Sequence, residues 1–228
     1  MPASTYIRVF SLLMSDLSYL VKKFTLFCYC NFNCFYLCAI LLCRNFRRSF
    51  MIIRNVAVYL GAAEIADPAF RQAVVDLANY LAAHDMTLVF GGSSCGMMKL
   101  LADTMLAQNG RITGVFTRTL PEKLIRRDLT EIVITENLAV RKAEMLKRAD
   151  AIVALPGSIG TLDELFDALA QKKLGVISCP IGVLNINGFF DPLFDLLKRS
   201  MDVGFTSTSA YSMLKSGRTP EELFEKLQ

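Results

Sequence analysis

From Met51 onward, short apolar runs alternate with longer stretches in which apolar residues recur every three or four positions. A continuous apolar run bounded by glycine or a polar break suits a parallel strand buried on both faces. Recurrence at three and four marks one face of a helix. Residues 55–59 form the first such run, and Gly61 ends it. Asp67-Pro68 then opens a helix, because the aspartate can cap free amides and proline fits the first turn. That helix reaches about His84, with Val74, Leu77, Ala78 and Leu81 on one face. Strands follow at residues 87–90, 112–116, 132–134, 151–155 and 181–184. Helices at about 96–108, 138–148, 161–172 and 192–203 separate or follow them. Thr219-Pro220-Glu221-Glu222 starts a last helix by the same capping logic. Strand and helix alternating in this way predict an α/β, Rossmann-like, doubly wound parallel sheet with helices on both faces.

The chain before Met51 has a different texture. Residues 24–43 are rich in Phe, Leu, Cys, Tyr and Ile, are interrupted by Asn31 and Asn33, and lie between Lys22-Lys23 and Arg44. A run of about twenty apolar residues has the length of a membrane-crossing helix. Three readings of residues 1–50 stand side by side: a membrane anchor or signal-like segment in which 24–43 contacts the bilayer, a loosely packed extension, and upstream sequence foreign to the natural protein. The last is favoured, because a strand begins soon after Met51 and no small-residue cleavage site follows the run. The division expected is therefore an apolar, cysteine-rich extension over residues 1–50 and a nucleotide-binding domain over 51–228.

With 53% hydrophobic and 20% charged residues, the chain has enough apolar material for a large core. The net charge of +4 owes much to Lys22, Lys23, Arg44, Arg47 and Arg48, so the remainder is nearly balanced. That argues against a nucleic-acid surface, which needs a dense basic face. Five of the seven cysteines fall between Cys28 and Cys43, no CxxC pair occurs, and His84 is the only histidine. A zinc site is not expected, nor is any other metal or cofactor. The domain from Met51 reads as cytoplasmic with reduced thiols, or membrane-anchored if the first segment is real.

Three loops lie at the carboxyl ends of predicted strands, where open α/β sheets bind ligands. They are Gly61-Ala62-Ala63, Gly91-Gly92-Ser93-Ser94-Cys95-Gly96 and Pro156-Gly157-Ser158-Ile159-Gly160-Thr161. In the last two, glycine allows close approach to an anion and the following helix start supplies amide donors. One such loop is as readily a tight turn; two in one sheet favour phosphate binding. Neither has the Walker A or the GxGxxG spacing. Glu164, three residues after Thr161, is either the partner of Thr161 in a capping box or a carboxylate displayed beside the ligand. Arg141, on the preceding helix, either faces the same cleft or belongs to a solvated face with Lys147 and Arg148. His84 suits a helix end rather than catalysis. Cys95 is read as a small side chain that fits its loop, since no histidine lies near to activate it.

These residues resemble a known family over nearly all of the chain after Met51. Gly91-Gly92-Ser93-Ser94-Cys95-Gly96-Met97-Met98 is similar to its GGxxxGxM loop, Arg141-Lys142 to its RK pair, and Pro156 through Glu164 to its PGGxGTxxE. Asn185 through Pro192 resembles its N-x-x-G-[YF]-[YF]-D-P stretch. The family is the "lonely guy" group of cytokinin riboside 5′-monophosphate phosphoribohydrolases, long labelled lysine decarboxylases. The resemblance implies that Arg141 and Glu164 are the catalytic pair. It implies that Gly91, Gly92, Gly96, Met97, Lys142, Gly157, Ser158, Gly160 and Thr161 hold substrate and phosphate. It also implies a homodimer and hydrolysis of an (N6-modified) adenosine 5′-monophosphate to free base and ribose 5-phosphate. That reaction builds positive charge on the sugar, which a carboxylate stabilises while orienting water. Three departures stand out: Ser158 replaces the second glycine of PGG, Gly61-Ala62-Ala63 replaces a loop with two serines, and Leu138-Ala139-Val140 replaces Met-His-Glu. They keep open a second reading, a non-catalytic nucleotide or molybdenum-cofactor binding protein of the same fold. A decarboxylase is a weaker third, because none of the lysines sits in a recognisable pyridoxal phosphate setting.

Overall fold

The computed structural model describes residues 52–119 and 121–228. The readings of residues 1–50, including the apolar run 24–43, and the boundary at Met51 lie outside the described residues. Among those described, no helix is long and apolar enough to cross a membrane.

The described chain runs β1 (Asn55–Tyr59), α1 (Pro68–Ala83), β2 (Thr87–Phe90), α2 (Gly96–Ala107), β3 (Ile112–Thr117), β4 (Glu131–Thr135), α3 (Leu138–Arg148) and β5 (Ala151–Ala154). It continues with α4 (Ile159–Lys173), β6 (Ile181–Leu184), α5 (Asp191–Asp202), α6 (Thr208–Tyr211), β7 (Leu214–Gly217) and α7 (Pro220–Leu227). The strands form one sheet in the order β4-β3-β2-β1-β5-β6-β7, every pair parallel. The doubly wound α/β sheet expected from the alternation is the one observed.

Alternate residues of each strand serve opposite faces. Val56 and Val58 pack with Leu77 and Leu81 of α1, Leu101 and Met105 of α2 and Phe224 of α7. Ala57 and Tyr59 pack on the other face with Met145 of α3, Leu165 and Ala168 of α4 and Phe190. Both cores are apolar over most of their depth, which is why the strands read as unbroken apolar runs. The caps also follow the sequence. Asp67 accepts from Ala69 N at 2.8 Å and Thr219 from Glu222 N at 3.3 Å. His84 closes α1, its Nδ1 2.8 Å from Tyr80 O and its ring stacked on Tyr80.

Two features differ from expectation. The fourth helix begins at Ile159, with Ser158 as N-cap, two residues before the expected start. The short α6 and the strand β7 carry no alternation long enough to announce them. β7, Leu-Lys-Ser-Gly, joins the sheet by pairing with β6.

Candidate active site

The strand order reverses between β1 and β5: β2, β3 and β4 extend the sheet to one side, β6 and β7 to the other. The loops after β1 and β5 therefore flank the switch-point crevice, the place where such sheets take ligands. They touch one another there. A Cβ on Gly61 would lie 3.3 Å from the Gly157 Cα, and a Cβ on Gly157 would overlap the Thr161 side chain. Gly157 is thus required by close packing. Gly160, with open space around a Cβ, is not.

Arg141 sits in the first turn of α3, whose N-cap Asn137 accepts from Val140 N at 3.0 Å. Its buried companions on that helix are Met145 and Leu146, so the arginine occupies the core-facing side. It is 9% exposed, and its Nε donates to Val115 O at 2.9 Å. Nη1 lies 3.3 Å from Glu164 Oε1. Glu164 projects from α4 on the same side as the buried Thr161, Leu165 and Ala168. The solvated-face alternative for Arg141 does not hold. Lys147 and Arg148 are the more solvent-facing residues of that helix, and Arg148 is tied to Glu131 and Glu144.

The capping-box alternative for Thr161 and Glu164 is also corrected. Because α4 starts at Ile159, Thr161 is already inside the helix and Glu164 stands in its second turn, paired with Arg141. Burial pushes the Glu164 carboxyl above its ordinary range, and the Arg141 guanidinium pulls part of the way back. Beneath the pair, burial raises the Tyr59 hydroxyl strongly, and the charge of Glu164 raises it further. Tyr59 escaped the sequence analysis. The signal available was a phenolic hydroxyl at the carboxyl end of a strand that is apolar between Asn55 and Tyr59.

Gly91 and Gly92 are buried beside this pair. A Cβ on Gly91 would overlap the Arg141 guanidinium, and Gly92, at φ 76°, rests on the Phe116 ring. Gly96, at φ 50°, lets α2 start against the backbone of Ala62 and Ala63. Ser158 is exposed and extended, at φ −97° and ψ −165°, so a side chain sits here without backbone strain. Lys142 is directed to Asp163, 3.0 Å away, rather than to the glycine loops.

Met97 takes part in a feature the sequence did not show. Together with Ile65, Phe70, Val74 and Phe189 it lines an apolar chamber of about 260 Å³ that also borders Gly61, Gly157 and Ser158. Asn185 fixes the turn that supplies Phe189 to it. Its Oδ1 accepts from Phe190 N at 2.8 Å and its Nδ2 donates to Asp191 at 2.6 Å. The tight turn so fixed sets Phe189 edge-on to Phe70. This accounts for the Asn185–Pro192 stretch as a local staple. Among the described residues no group of three or more His, Cys, Asp or Glu is arranged to hold a metal ion.

Residues 98–227 match the family model described as "Possible lysine decarboxylase". The chain is 34% identical over 176 residues to a "Probable cytokinin riboside 5′-monophosphate phosphoribohydrolase" of Oryza sativa subsp. japonica, covering 77% of this chain and 72% of that protein. It is 33% identical to a cytokinin riboside 5′-monophosphate phosphoribohydrolase of Arabidopsis thaliana, covering 77% and 82%. Among solved structures, the molybdenum cofactor binding protein of Rippkaea orientalis superposes with a TM-score of 0.58 at 19% identity, over 75% of this chain and 93% of that one. That likeness concerns the fold. On the sequence match, the chain belongs to the lonely guy family of cytokinin riboside 5′-monophosphate phosphoribohydrolases.

Proposed function

We propose that the protein hydrolyses the N-glycosidic bond of a purine nucleoside 5′-monophosphate, releasing free base and ribose 5-phosphate, with an N6-modified adenine as the favoured base. The observation that carries this is the buried Arg141–Glu164 pair at 3.3 Å, set beside two glycine loops at the carboxyl edge of the sheet. A charge pair taken out of water is costly to keep unless it serves a purpose, and such pairs gather where chemistry is done.

The phosphate would sit on the start of α4, where Gly157, Ser158, Gly160 and Thr161 present the amides of the first turn. Gly91, Gly92, Gly96 and Met97 would close the sugar side, and Lys142 would add positive charge nearby. Glu164 would take a proton from water as the water oxygen bonds to the anomeric carbon. The carbon–nitrogen bond breaks with its electron pair on the base, which then takes up a proton. The raised carboxyl of Glu164 suits it to both exchanges. Arg141 would orient the nucleotide and steady charge on the departing base. The step as written uses only water and side chains of this chain. The N6-modified base is carried over from the relatives, whose names give cytokinin riboside 5′-monophosphates as substrates. A pyridoxal phosphate decarboxylase is disfavoured, since Lys142, the lysine beside the pair, is held by Asp163.

Homodimerisation in the cytoplasm belongs to the same proposal. Ile134, Leu138 and Val140 are exposed on β4 and the start of α3, and would be covered by a second copy. The free thiols of Cys95 and Cys179 suit a reducing compartment.

The test is to incubate purified protein with adenosine 5′-monophosphate and with isopentenyladenosine 5′-monophosphate and to follow free base by chromatography, with Glu164→Gln and Arg141→Ala alongside. Base released by the parent and lost in both variants supports the hydrolase. Binding without release would instead favour the carrier reading, whose support lies in Ser158 and in the two alanines after Gly61.

A further inference from the structure

Residues 121–130 cross the mouth of the Gly91–Gly96 loop as a strap between β3 and β4. Backbone contacts lash the two together. Ser93 and Ile125 form an isolated antiparallel bridge. Ser94 N donates to Leu124 O at 3.0 Å, and Arg126 N donates to Gly92 O at 3.4 Å. The strap is in turn moored to α2 by one side chain. The Arg126 side chain is only 11% exposed. Its Nη1 donates to Asp103 Oδ1 at 2.5 Å and to Lys99 O at 3.4 Å. Its Nε and Nη2 donate to the two oxygens of Asp128 at 2.6 and 2.8 Å. Lys99 Nζ takes the other oxygen of Asp103 at 2.5 Å. A guanidinium held in this way by two carboxylates and a carbonyl has one geometry, which a lysine could not reproduce.

The loop gripped by the strap is the one against which Arg141 rests: Gly91 leaves room for its guanidinium and Gly92 seats on Phe116. We infer that Arg126 is a positioning residue. By mooring the strap to Asp103 it fixes the Gly91–Ser94 backbone that holds Arg141 opposite Glu164. The catalytic part of this inference rests on the proposed hydrolase; the mechanical part does not. The backbone bonds of the strap run to the Gly91–Ser94 loop and none to the loop after β5, so a loosened mooring acts on the placement of Arg141 and spares the start of α4.

The experiment uses the full chain with Arg126→Ala, Arg126→Lys, Asp103→Ala, and the double variant Arg126→Ala with Asp103→Ala. It measures kcat and KM for base release, together with amide hydrogen exchange. Arg126→Ala is expected to lower kcat about tenfold with KM changed less than about twofold, since small displacements of an aligned group act mainly on the chemical step. Arg126→Lys recovers part of the loss. The double variant loses no more than about twice what Arg126→Ala loses alone, because the two residues act through one contact. Exchange at the amides of residues 94 and 126 quickens in Arg126→Ala, and to a similar extent in Asp103→Ala and in the double variant. Unchanged kcat in Arg126→Ala, or a loss of kcat without faster exchange at Ser94, would overturn the inference. So would faster exchange spread evenly over the sheet. If the parent protein releases no base, the hydrolase has failed, and the exchange measurements alone decide whether Arg126 moors the loop.

Discussion

On one face of the sheet, α1, α2 and α7 press Leu77, Leu101 and Phe224 onto Val56, Leu88 and Val153. On the other, α3 and α4 carry Arg141 and Glu164 inward to 9% and 7% exposure; among the described residues these are the buried charged side chains. The second face is not simply a weaker core. Each of its two helices buries an apolar residue one turn below its charged one, Met145 under Arg141 and Ala168 under Glu164. The apolar layer holds the helix axes in place, and the layer nearer the strand ends is left to the ion pair. Stability and chemistry are thus stacked on one face, while the opposite face carries the larger apolar core.

Substitutions at the pair should cost activity without costing the fold. Glu164→Gln is expected to reduce base release by about a thousandfold or more, with the circular dichroism spectrum preserved. An unfolded variant would show instead that the pair is structural. Gly91→Ala comes next. Its new methyl meets the end of a flexible side chain, so the protein should fold with Arg141 displaced, and steady-state kinetics should show a loss of about a hundredfold. On the opposite face, Leu77→Ala should cost about 2–5 kcal/mol in denaturant unfolding while kcat of the folded protein stays within about twofold. A large kcat effect there would erase the distinction between the faces.

The pH dependence sharpens the comparison further. Burial raises the Glu164 carboxyl, so its ionised form, the one that accepts a proton, appears at higher pH than for a free glutamate. Base release should therefore rise with pH through a midpoint above about 4.3, the ordinary value. In Arg141→Met the attraction that opposes burial is gone. A carbon-13 titration should then find the Glu164 midpoint displaced upward; a downward displacement would mean that burial is not the governing influence. The smallest effect is expected at Ser158→Gly. Since Ser158 already adopts an unstrained extended backbone, the change should alter kcat/KM less than about threefold and lower stability by no more than about 1 kcal/mol.

The fold was legible because strands buried on both faces leave long apolar runs and because Asp67-Pro68 and Thr219-Pro220 announce helix starts. The start of α4 was misplaced for a physical reason: Thr161-x-x-Glu164 has the spacing of a capping box, and only packing against Gly157 shows Thr161 to be inside the helix. β7 was hidden because Leu214 is its one apolar residue. Arg141 was ambiguous locally, with Lys142, Lys147 and Arg148 around it suggesting a wet helix, and it took the family resemblance to single it out. Arg126 gave no sign at all. In Arg126-Arg127-Asp128 it looks like any solvated loop charge, and its partner Asp103 is 23 residues away in the chain.

The junction between the first loop and α2 bears on how such a site can change over evolutionary time. Met97 N bonds to Ala63 O at 3.2 Å, and Gly96 leaves room for the carbonyls of Ala62 and Ala63. The loop is thus held through its main chain, while the side chains at 62 and 63 remain exposed and free of that duty. Residues at these two positions can be exchanged without redrawing the path of the backbone. The edge of the crevice can then drift in polarity, serine in one lineage and alanine in another, while Gly61, Gly96 and Gly157 keep its shape: a fixed socket with a replaceable lining.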